Sequence, residues 1–239
     1  MNQSDTFISH LIELRARLLR MVFGFILIFI ALFPFANRIY TFLAQPMLRS
    51  LPIGGQMIAT GVTTPFFVPM KVVMLSAFLI SLPHTLYQLW AFVAPGLYSH
   101  ERRFIGPLVM VSTLLFFLGM AFAYFAVFPL VFGFMAHTAP KGVAVMTDIG
   151  NYLDFVITLF VSFGVAFEVP VAVVLLVKLG VIEVKKLKEI RSYVIVGAFI
   201  VGAIFTPPDI ISQFMLAVPL CLLYEGGILA ASLMKKKDI

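Results

Sequence analysis

The run IGPLVMVSTLLFFLGMAFAYFAVFPLVF, from Ile105 to Phe132, contains no Asp, Glu, Lys or Arg. About 20 apolar residues suffice to cross a bilayer as a helix, so this segment is long enough to span with tilt. Its hydrophobicity is continuous rather than alternating, which argues for helix and against a barrel strand. The rest of the chain has the same character. Of 239 residues 62% are hydrophobic and only 12% charged, with a mean hydropathy of +1.07. Soluble domains carry about 25% charged residues, and a water-soluble chain of this length has no core large enough for so much apolar surface. An all-α integral membrane protein follows.

Charge and Pro/Gly punctuation divide the apolar mass into six expected spans, near residues 20–37, 70–92, 105–132, 152–177, 192–206 and 210–232. They form one polytopic membrane domain over residues 1–239, with residues 1–19 as an amphipathic N-terminal helix. The fifth span is short, because only a brief run separates Arg191 from Pro207, and Pro219 interrupts the sixth. With a cytoplasmic N-terminus, thirteen of the seventeen Lys and Arg fall on the cytoplasmic side, against Arg38, Arg49, Lys71 and Lys141 outside. The positive-inside rule therefore sets the orientation, and six spans return both termini to the cytoplasm. It also explains the net charge of +6 as topology and attraction to anionic lipid, which removes nucleic acid as a partner. No cleavage pattern follows the first apolar run, so that run is expected to stay as a span.

The polar exceptions carry the functional content. In Ser4–Arg20 an apolar stripe of Phe7, Leu11, Leu14 and Leu18 is set against His10, Glu13 and Arg17. Glu13 stands four residues before Arg17, the favourable order for a helical pair. An interfacial helix suffices to explain this spacing. Residues 90–103 hold the turn Pro95-Gly96, the interface aromatics Trp90 and Tyr98, and Glu101 beside Arg102 and Arg103. Glu168 lies deep in the fourth span, where an acid costs roughly 2.5–3.5 kcal/mol to insert, so it needs a partner or water. Pro170 is expected to kink that helix. Asp209 follows Pro207-Pro208, where capping the sixth helix is reason enough for it, and Gln213 binds either a neighbouring helix or its own bundle. One cysteine, Cys221, and scattered histidines offer no metal set, and no Walker loop, H-E-x-x-H or G-x-S-x-G occurs. No cofactor and no enzymatic activity are implied. No internal repeat is evident, which weakens a transporter of the inverted-repeat type. A proton-coupled small-solute transporter using Glu168 remains the alternative.

In order along the chain, His10-Leu11-Ile12-Glu13-Leu14-Arg15, Pro95-Gly96-Leu97-Tyr98 with His100-Glu101-Arg102, Phe167-Glu168-Val169-Pro170, and Thr206-Pro207-Pro208-Asp209 with Ser212-Gln213 resemble the TatC family. This is the multispanning component of the twin-arginine protein translocase. The resemblance implies six helices in a curved, concave arrangement with short fifth and sixth helices, in the bacterial cytoplasmic (inner) membrane. It implies a receptor and core subunit that exports folded cargo by the proton-motive force, in a multimeric complex with the single-span proteins TatA and TatB. It assigns the binding of twin-arginine signal peptides to Glu13, Arg15, Arg17, Leu97, Tyr98, Glu101, Arg102 and Arg103. Glu168 becomes a functional intramembrane acid, and Pro207, Asp209 and Gln213 part of a partner-binding or structural surface. One departure is Thr64, where many members have Glu, so a charge-dependent role for that outer loop is not expected here.

Overall fold

The computed structural model describes residues 3–50, 57–93, 105–138, 146–205 and 210–237. Among these the chain is helical almost throughout, with one isolated parallel bridge between Ile58 and Asp148. Helix α1 (Gln3–Leu32) passes through a 3-10 turn at Phe33–Phe35 into α2 (Ala36–Ser50). There follow α3 (Thr64–Val93), α4 (Ile105–Phe122), a π-helical turn at Ala123–Val127, α5 (Phe128–Thr138) and α6 (Ile149–Phe167). Then come α7 (Val169–Lys178), α8 (Val184–Glu189), α9 (Arg191–Phe205) and α10 (Ile210–Lys237).

Among the described residues five helical stretches are long and apolar enough to cross a membrane: His10–Gln45, Thr64–Phe92, Gly106–Phe134, Ile149–Lys178 and Ile210–Met234. The expectation of six is corrected by α9. Its 15 residues rise about 22 Å, short of a hydrocarbon core of about 30 Å. The cause is local: Arg191 opens the helix, and Pro207 disfavours helical backbone in the residue before it. The return of both termini to one side was argued from six spans, and five such stretches do not support it. The last helix is not short either, since α10 runs for 28 residues with Pro219 inside it.

The chain forms two compact units, Met1–Phe42 with Pro65–Thr113, and Leu43–Thr64 with Leu114–Ile239. In the first, α1 and α3 run antiparallel. Facing pairs are Gly24 with His84, Arg17 with Gln88, and His10 with Phe92, whose rings lie 5.6 Å apart. Positions 10, 17 and 24 are two helical turns apart, so one stripe of α1 faces α3. The remainder of α1 is bare: Phe23 is 70% and Ile30 65% exposed, as befits a helix solvated by lipid.

The second unit is built on an aromatic ladder. Phe122, Tyr124, Phe128 and Phe132 meet Phe163, Phe160, Phe155 and Tyr152 in antiparallel order, with Phe128 stacked on Phe160 at 5.2 Å. Each such pair adds about 0.5–1.5 kcal/mol beyond burial. Two glycines allow the approach. A Cβ on Gly119 would sit 2.5 Å from the Phe163 carbonyl oxygen, and one on Gly164 would strike the Phe116 ring. Pro129 has no N–H and its ring crowds the carbonyl four residues back, and the wider π turn just before it absorbs that misfit. Tyr152 Oη donates to the Leu43 carbonyl at 2.8 Å, fixing α6 to the end of α2. Farther along, Val173, Leu187, Tyr224 and Ile228 form a second core, and Tyr224 Oη donates to the Leu187 carbonyl at 2.9 Å.

Candidate functional site

Glu13 sits on α1 where the helical repeat places Arg17 one turn on. Arg17 Nε and Nη2 both donate to Glu13 Oε1, at 2.9 and 2.5 Å. The other oxygen, Oε2, lies 3.9 Å from His10 Nδ1, beyond hydrogen-bond range. Arg17 Nη1 also reaches Gln88 Oε1 at 3.4 Å, and Gln88 on α3 is buried. The glutamate side chain is one-third exposed and that of Arg17 about one-sixth. The carboxylate thus holds a guanidinium at a partly dry helix junction, with one oxygen still open to further donors. Arg15 is exposed, two residues around the helix from Glu13. Leu97, Tyr98, Glu101, Arg102 and Arg103 lie outside the described residues, as do Pro207 and Asp209.

Glu168, in the other unit, occupies the break between α6 and α7. Its N–H donates to the Val165 carbonyl at 3.1 Å, a tightened final turn, and its own carbonyl accepts from Ala172 at 3.0 Å. Pro170 stands in the first turn of α7, where a missing N–H costs least, and this sets the break at Glu168. The side chain is half-buried. Gln213 points within its own bundle: Nε2 donates to the Phe199 carbonyl of α9 at 3.1 Å, and its Cγ fills the space beside Gly202.

Asp148 was not singled out by the sequence. It caps α6, accepting from the N–H groups of Gly150 and Asn151 at 2.8 and 3.0 Å. Its second oxygen takes the Thr60 N–H and hydroxyl at 2.9 and 2.7 Å, beside the Ile58 bridge. The Thr60 bonds, with those from α6, lower its pKa to about 2. An acid directly before an apolar run was the available signal for the cap. Its partner 88 residues away left none. Thr64 packs by its methyl near Gly150, so a Glu in its place would bring a second carboxylate toward Asp148. Among the described residues no three His, Cys, Asp or Glu gather into a metal-binding group.

The fold and these sites define a class: a polytopic α-helical membrane protein with Glu13 and Arg17 paired beside a second helix and with Asp148 and Glu168 at helix ends. Residues 9–219 match the family described as "Sec-independent protein translocase protein (TatC)". The TatC of Haemophilus influenzae is 53% identical over 99% of this chain and 93% of its own length. That of Escherichia coli K12 is 54% identical over 95% of this chain and 89% of its own. A crystal structure of the twin arginine translocase receptor TatC superposes with a TM-score of 0.82 at 41% identity, covering 94% of this chain and 98% of that one. The chain belongs to the TatC family, the core receptor subunits of the twin-arginine translocase, which exports folded proteins carrying twin-arginine signal peptides. It is a transport component of the bacterial cytoplasmic membrane and not an enzyme, and the small-solute transporter alternative gives way.

Proposed function

We propose that Glu13 receives an arginine of the signal peptide, together with Glu101, within a site that also draws on Arg15, Arg17, Leu97, Tyr98, Arg102 and Arg103. The observation that supports this most is that Glu13 already binds a guanidinium, that of Arg17, at one oxygen. An exposed carboxylate–arginine pair is worth only about 0–1 kcal/mol, so two surface acids alone would select poorly. A partly desolvated site with fork geometry favours the planar guanidinium over the more strongly hydrated ammonium of lysine. Membership of the family extends the reading to TatA and TatB as partners in a multimeric complex driven by the proton-motive force. In that complex Glu168 serves as an intramembrane acid, and Pro207, Asp209 and Gln213 contribute to the surface for single-span partners. Photo-crosslinkers at positions 13 and 101, offered a twin-arginine precursor, test the site. Adducts that disappear when the signal arginines become lysines are expected, and adducts indifferent to the signal would reject it.

A further inference from the structure

At the far end of the second unit, α7 closes on Gly180, whose φ of +69° lies in the left-handed region open to glycine. The reversal is held by bonds from Gly180 to Val177 and from Val181 to Leu176, both 3.0 Å. It leaves a groove of about 370 Å³ between α7, the turn and the end of α10. Val174, Val177, Ile182, Ala231 and Met234 make its walls mostly apolar, and Lys178 and Glu183 stand in its lining.

The surroundings are basic. Lys178, Lys185, Lys186 and Lys188 are exposed. Opposing them are Glu183 and Glu189, while Arg191 and Glu225 neutralise each other at 2.6 Å. Two membrane-crossing stretches, Ile149–Lys178 and Ile210–Met234, end here, so the groove lies where hydrocarbon gives way to headgroups. A trough with five apolar side chains, Lys178 and Glu183 in its lining, continued by the exposed lysines of α8, matches one ligand chemistry at that depth. We propose that it holds an anionic diacyl phospholipid, its phosphate among the lysines and its chains along Val174, Ile182 and Met234. A cationic signal peptide is repelled by the same lysines, and a free phosphate gains nothing from the walls. Topogenic lysines alone would explain the charge but not the trough beside it.

The purified full chain in an uncharged detergent provides the test, with lipid retention read by native mass spectrometry. Phosphatidylglycerol should be retained in preference to phosphatidylcholine. Replacing Lys185, Lys186 and Lys188 by Gln should lower that preference about fivefold for each lysine neutralised at the membrane surface. Met234→Trp fills the trough with every lysine intact, and should release phosphatidylglycerol. Equal retention of both lipids, or a preference surviving either variant, would overturn the proposal. So would displacement of the lipid by millimolar inorganic phosphate, which would mark a simple anion site.

Discussion

Gly119→Ala places one methyl group where α4 crosses α6. The new Cβ would lie 2.5 Å from the Phe163 carbonyl oxygen, 2.9 Å from its carbon and 2.9 Å from the Phe167 ring. A ring can tilt, but a helical carbonyl can yield only if the two helices part. Parting them loosens Phe122 from Phe163 and Phe167, which it meets at 5.6 and 5.9 Å. Overpacking of this kind costs about 1–3 kcal/mol. Alanine also gains about 0.8–1 kcal/mol of helix propensity over glycine, which masks part of that cost. Gly197 in α9 supplies the control, because a Cβ there meets nothing within 4 Å. Propensity cancels between Gly119→Ala and Gly197→Ala, and the difference isolates the clash. At about 2–4 °C per kcal/mol for chains of roughly 150–250 residues, Gly119→Ala should melt roughly 2–12 °C below Gly197→Ala. Thermal denaturation of both purified proteins in one detergent measures this. Equal midpoints would refute the close approach of α4 and α6.

Arg17→Gln removes the guanidinium that holds Glu13 Oε1 and should weaken binding of a twin-arginine peptide. The loss is at most about fivefold, since a partly exposed pair holds no more than about 1 kcal/mol; tighter binding in a titration would show that Arg17 competes with the peptide instead of serving it. Asp148 makes stability depend on acidity. Its folded pKa of about 2 lies below the ordinary 3.8, so its contribution is complete above the ordinary value and is lost as pH falls through about 2. Against Asp148→Asn, which keeps a capping side chain but does not titrate, the wild-type midpoint should fall faster over that window; parallel curves would exclude the linkage.

Long helices were legible because lipid demands uninterrupted apolar runs, and Ile105–Phe132 needed no other signal. The Glu13–Arg17 pair was legible for a similar reason: its partners are four residues apart on one helix. The count of spans failed at α9, where apolar character was right and length was not. Hydropathy gives a segment's affinity for lipid, whereas the flanking Arg191 and Pro207 set how far its helix extends. The Asp148–Thr60 network and the Gly119–Gly164 crossing were invisible for another reason. Each joins residues far apart in the chain, and the pattern within one segment carries no sign of its partner in another.

The central claim is that Glu13 and Glu101 receive arginine as a guanidinium and not merely as a positive charge. Its most direct test compares the affinity of the purified translocase for one signal peptide carrying two arginines with the same peptide carrying two lysines. The arginine peptide should bind more tightly than equal charge accounts for, and Glu13→Lys and Glu101→Lys should each abolish that margin while the protein still inserts. Indistinguishable affinities for the two peptides, or a margin that survives both substitutions, would contradict it.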